Sequence, residues 1–279
     1  MTRSSSLLLP PRDLSSCIFA AIVRDTRGKS LNDRDRLNHF PASPLVSLTC
    51  VIEGELRLLP WGGNLESVPA APRLPRLSVM VPQNRPVTSW SPGQVAAVTI
   101  GVYPEAWIAL GGDLRPDGTA PTALLAAIEE FRTESPFPRS WRTFCNVVTP
   151  RWKTARRATG GLDWAGSDRI ADWSRSLVTR AALSGAGRSI RAVERRLRRS
   201  SGQTRRTLGF YAAFENLHRL SVERPDEPLA MLAGDAGYSD QSHMGRAVRR
   251  ATGFSPARLN RMIESEESFW CYRLLGQRF

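Results

Sequence analysis

The 279-residue chain has only four cysteines and three histidines. Cys17, Cys50, Cys145 and Cys271 are scattered without a CxxC pair, which argues against a structural zinc cluster or a dense disulfide scaffold and points to a reducing compartment. No stretch approaches the roughly 20 apolar residues that span a bilayer, so no membrane partner is expected. The run Leu7, Leu8, Leu9 stops at Pro10 and Pro11 and charge follows, which makes a poor secretion signal. The chain therefore reads as cytoplasmic and soluble. A phosphate loop, a nucleophile motif and paired carboxylates are also missing, so no cofactor, metal or catalytic centre is expected.

Acids are scarce beside bases: 26 Asp and Glu face 39 Lys and Arg, for a net charge of +13. Residues 150–279 hold 24 bases and 13 acids, residues 1–149 hold 15 and 13, so +11 of the excess lies at the C-terminal end. A polyanion is the partner such a distribution fits first.

The predicted fold class is α+β. A flexible N-terminus, 1–14, leads into a β-rich sensing or dimerisation domain, 15–132. Short β-prone runs at 17–23, 45–52, 55–59, 76–81 and 95–102 alternate there with glycine and proline turns. A helical patch spans 121–132. Residues 133–165 have no clean period and read as a connection. Helical periodicity dominates 166–267, and an aromatic, basic tail covers 268–279.

Within this helical region the same pattern occurs twice, 51 residues apart: Ser189 to Gly202 and Asp240 to Gly253. In the second copy Met244, Ala247, Val248 and Ala251 make an apolar stripe with Ser242, Arg246 and Arg249 opposite. An amphipathic helix begins near Pro228, Gly237 marks the corner, and Ser239 or Asp240 caps the next helix. The first copy follows suit: Gly185 and Gly187 at the corner, Ser189 as cap, Ile190, Val193 and Leu197 as the seam. A helix carrying Leu208, Tyr211, Phe214, Leu217 and Leu220 joins them. Each unit has the shape of a helix-turn-helix. A rigid linker would set the ~34 Å that separates successive major grooves.

Arginine can donate two hydrogen bonds to guanine O6 and N7. Arg195 and Arg246, equivalent and outward, are the leading base readers, with Ala192, Gln241 and Ser242 near base edges. Arg198, Arg199, Arg205, Arg206, Arg249 and Arg250 are assigned mainly to phosphate and solvent, Arg191 to the DNA-facing side opposite the seam, and His243 to the cap, packing or DNA.

Leu229 to Pro256, ending in Gly253, Phe254, Ser255 and Pro256, resembles the second helix-turn-helix of the AraC/XylS family of bacterial transcription regulators, and Ser189 to Gly202 its first recognition helix. The resemblance covers about 168–263. Met244 stands where the family usually has an aromatic residue, and Gln203 follows Gly202 where a proline often comes soon after. The resemblance implies double-stranded DNA and RNA polymerase as partners, a small-molecule effector or protein partner at the N-terminal domain, and a homodimer. It implies regulation, more often activation. Two other functions compete. One is a DNA-directed enzyme using Cys17, Cys50 or Cys145 with His39, Glu53 or Glu55. The other is a basic helical module for an acidic protein or RNA.

Overall fold

The computed structural model describes residues 4–133, 137–158, 169–184 and 189–278. Its first half holds two antiparallel sheets. Strands β1 (Ser5–Leu8), β2 (Ile18–Asp25), β4 (Val46–Glu53), β6 (Leu77–Met80) and β8 (Ala96–Val102) form one, in the order β1-β2-β8-β4-β6. Strands β3 (Leu37–Phe40), β5 (Arg57–Leu58) and β7 (Val87–Trp90) form the other, in the order β3-β7-β5. β2 and β8 lie inside the larger sheet and are buried on both faces, which explains why their sequences are nearly unbroken apolar runs.

Helices α1 (Pro104–Ala109), α2 (Thr122–Ile128), α3 (Glu130–Thr133) and α4 (Phe137–Ala158) follow. The second half holds α5 (Ile170–Leu183), α6 (Ile190–Ser201), α7 (Arg205–Glu223), α8 (Leu229–Asp235), α9 (Gln241–Thr252), α10 (Pro256–Ser265) and α11 (Trp270–Gly276). The α+β class holds, with the β-rich half first and the helical half second.

Three local expectations differ. Residues 5–8, expected to be mobile, are β1: Leu7 pairs with Ile22, and Trp141 Nε1 donates to the Leu9 carbonyl at 2.9 Å. The prolines end this strand rather than prevent it. Most of the expected connection is α4, a 22-residue helix that tolerates Pro150. Its Trp141, Phe144, Cys145, Val148 and Trp152 are all buried, at helical spacing. The expected separate helical domain is divided in its packing. Trp173, Leu177 and Leu197 from the first repeat, with Leu208 of α7, share one core with Ile100 and Phe144, and Trp173 lies 5.4 Å from the Tyr103 ring.

The second repeat has its own core, made by Leu232, Met244 and Val248 with Leu217 and Leu220 of α7 and Phe269 and Tyr272 of the tail. α7 thus enters the first core at Leu208 and the second at Leu217.

The tail ties the second repeat to the sheets. Trp270 Nε1 donates to Asn38 Oδ1 at 2.9 Å, and buried Arg24 pairs with Glu267 at 2.6 Å. Burial opposes the charged form of Arg24, while the Glu267 carboxylate favours it.

Candidate nucleic-acid interface

The two repeats have the same local design. Ser189 Oγ accepts from the Ala192 N–H at 3.3 Å, and Asp240 Oδ1 accepts from the His243 N–H at 2.7 Å. Each cap satisfies a donor that the first helical turn leaves unpaired. The Asp240 carboxyl is held below the usual carboxylate range by that N–H and by the Ser239 hydroxyl. Both helices stop at a left-handed glycine, Gly202 at φ 70° and Gly253 at φ 84°, a conformation that costs other residues energy. The corner before α9 uses Gly237 at φ 94°. Gly185 and Gly187 lie outside the described residues.

Arg191, Arg195, Arg198 and Arg199 of α6 are exposed, as are Gln241, Ser242, His243, Arg246, Arg249 and Arg250 of α9. In the shared 51-residue register the exposed arginines coincide three times: Arg195 with Arg246, Arg198 with Arg249, Arg199 with Arg250. The six do not behave alike. Arg250 lies over the Phe210 ring at 4.5 Å, held against α7. Among the described residues, Arg191, Arg195, Arg198, Arg199 and Arg249 have no acidic side chain in ion-pair contact. Elsewhere arginines are commonly paired, as in Arg180 with Glu105 at 2.8 Å.

Ala192 is buried rather than exposed beside the arginines. It is 5% exposed, on the flank of α6 turned toward the core, where α1 and α5 pack against the helix. Its counterpart His243 is exposed, yet its ring is engaged: Nδ1 lies 3.2 Å from Ser239 Oγ, and the ring meets Tyr238 edge-on at 5.4 Å. Ile190, expected in the seam, is 83% exposed; as the first helical residue it lies beyond the reach of the core that Leu197 enters. The small residues before α9 do pack closely, with Leu232, Ala233 and Ala236 all buried.

The second repeat abuts the sheets directly. The Ala42 N–H donates to the Ala251 carbonyl at 2.8 Å, and Tyr211 Oη donates to the Gln83 carbonyl at 3.0 Å. His39 packs on Phe269 at 4.6 Å and meets Phe254 edge-on at 5.6 Å. Burial pushes the His39 imidazole down to about 4, so it is neutral at pH 7. Between the halves lies a cavity of about 200 Å³, lined chiefly by apolar groups, among them Phe40, Leu56, Met80, Tyr211, Phe214 and Leu275. Glu215 stands at its wall. Its carboxylate accepts the N–H groups of Ile170 and Ala171, each at 2.7 Å, at the start of α5.

The cysteines considered as nucleophiles are buried. Burial raises the Cys145 thiol to about 12 and the Cys17 thiol further, so neither is a thiolate at neutral pH. Among the described residues, no helix is long and apolar enough to cross a membrane, and no three metal-ligating side chains gather.

A helix-turn-helix domain profile matches residues 184–262. No curated protein matches the chain. Among solved structures, apo ToxT from Vibrio cholerae is 11% identical at a TM-score of 0.41, over 87% of this chain and 96% of that one. ToxT from the same species bound to (E)-4-(8-methylnaphthalen-1-yl)but-3-enoic acid is 10% identical at 0.41, over 94% and 100%. ToxT bound to an unsaturated fatty acid is 10% identical at 0.35, over 80% and 93%.

Proposed function

We propose that this chain, whose residues 184–262 match a helix-turn-helix domain profile, is an AraC-type DNA-binding transcription regulator that lays α6 and α9 in successive major grooves. The observation that carries the reading is the repeat itself. Two helices, each with a side-chain cap and the same glycine stop, carry three coinciding arginines, and among the described residues only Arg246 has an acid beside it, the cap Asp240. A solubilising surface needs no such register.

Arg195 and Arg246 are the base readers in this proposal; Arg191, Arg198, Arg199 and Arg249 hold phosphates. Gln241 and Ser242, at the exposed start of α9, reach neighbouring base edges. RNA polymerase is the partner through which bound protein would act, and activation is the sign we propose. A homodimer and a cytoplasmic setting complete the reading. Regulation is favoured over catalysis because the buried thiols offer no nucleophile.

Control would pass through the cavity. An apolar effector there touches both sheets, α7 and the tail, and α7 buries residues in both cores. Glu215 links the cavity wall to the start of α5, so an occupant that shifts α7 shifts the first repeat relative to the second. The effector must bind one setting better than the other to act at all.

Selection from a randomised duplex pool tests the proposal. Enrichment of a site with two conserved blocks about one helical turn apart is expected. A pool that never enriches, or tighter binding to structured RNA, whose deep major groove a helix cannot enter, would refute it.

A further inference from the structure

Beyond the two repeats, another element collects bases, here without any acid of its own. α4 carries Arg139, Arg142, Arg151, Lys153, Arg156 and Arg157 and not one Asp or Glu in its 22 residues. Its orientation is fixed. Trp141 is tied to the Leu9 carbonyl, Trp152 Nε1 donates to Ser16 Oγ at 3.1 Å, and Trp141 stacks on Phe144 at 5.4 Å. With that face locked inward, Arg139, Arg142, Asn146, Pro150, Lys153 and Arg157 fall along the opposite side. Arg139, Arg142, Lys153 and Arg157 are all exposed. At 1.5 Å per residue the stripe is about 27 Å long, roughly eight base-pair steps of duplex at 3.4 Å each.

We propose that this outer face of α4 is a further DNA-contacting surface, gripping the phosphate backbone beside the major groove that α6 enters. Three observations favour duplex phosphate over other occupants. Among the described residues, Arg142, Arg151 and Arg157 have no acidic partner, and Lys153 has only the half-exposed Asp13. α1 touches both α4 and α6, so α4 lies one helix away from the first recognition helix. Finally, a second copy seated on the same face would oppose two stripes built from a helix without Asp or Glu, which repel. The inference rests on the DNA-binding reading above and extends it to a surface outside the repeats.

Phosphate contacts carry no sequence information but steepen salt dependence by about 0.9 per contact in log K against log salt. The test uses the full chain, a selected duplex and a random duplex, with affinity measured by fluorescence anisotropy across a range of NaCl concentrations. R142A with R157A should lower the slope by about 1.8 on both duplexes, leave their affinity ratio unchanged, and recover with R142K and R157K. Asn146→Cys carrying a photo-crosslinker should capture bound duplex from the middle of the stripe, a readout independent of whether the double variant folds. An unchanged slope in the double variant, a loss confined to the selected duplex, or no crosslink would overturn the proposal. So would a substitution that leaves the slope intact while abolishing binding to vesicles containing phosphatidylserine. If the unaltered chain cannot tell the two duplexes apart, sequence-specific reading falls instead, and the slopes still report on α4.

Discussion

Arg195 and Arg246 differ from the arginines around them in what a truncation should do. If each reads a guanine, R246A costs roughly 1–3 kcal/mol on a selected site and much less on random duplex, while R249A weakens both alike. Competition binding against the two duplexes measures the contrast; equal losses for every arginine would remove the base-reading assignment. Arg250 is distinct again. Its place over Phe210 makes it a packing residue, so R250A should lower stability as well as affinity, which urea unfolding would detect. At this scale the cap Ser189, the second cap to within Ser239 or Asp240, and the glycine stops were legible, because capping and left-handed backbone each select a few residue types. Ala192 and Ile190 were not. A helical wheel places a residue by angle alone, whereas burial at a helix end depends on what neighbouring elements cover.

Among the elements, the helix terminations are the most exposed to single changes. A Cβ at Gly253 would have only Pro86 within reach at 3.8 Å, and one at Gly202 only Leu114 at 3.4 Å, so space is not the obstacle at either position. The left-handed φ is. G253A should therefore destabilise by about 1–2 kcal/mol, and G253N, which tolerates that conformation better, by less; a smaller loss for Ala than for Asn in denaturant unfolding would contradict this. The strands β2, β4, β6 and β8 were visible as apolar runs. β3 and β7 were not, since Leu37 to Phe40 and Val87 to Trp90 are four residues each and mix polar with apolar side chains. α4 was hidden by Pro138 and Pro150, although its buried residues keep the helical period. The signal was present, and the prolines outweighed it.

Across the whole molecule, the sheets and the repeats are welded rather than strung together. That arrangement could not be read from periodicity, because contacts such as Trp173 on Tyr103 join residues 70 positions apart. The weld is expected to respond to pH through its histidines. His39 is lowered by burial to about 4, and His218 is lowered by burial against a smaller opposing effect of the Tyr272 carbonyl it bonds. Both titrate below the usual 6.5, so the unfolded chain binds more protons from about pH 6.5 downward. Stability is then full above 6.5 and falls as pH drops toward 4. Thermal melts at pH 7 and pH 5 should show a loss in the unaltered chain that is smaller in H39Q; an identical loss in both would deny His39 that role. Trp173, wholly buried in the first core, should cost about 3–5 kcal/mol as W173A, read from urea unfolding, and should impair both sheets and first repeat, since they share that core.

The most direct test of two helices reading one face of DNA is methylation interference at guanine N7 on a selected site. Two clusters about one helical turn apart are predicted, with R195A erasing one and R246A the other. A single cluster, or two that both variants erase together, would contradict the account.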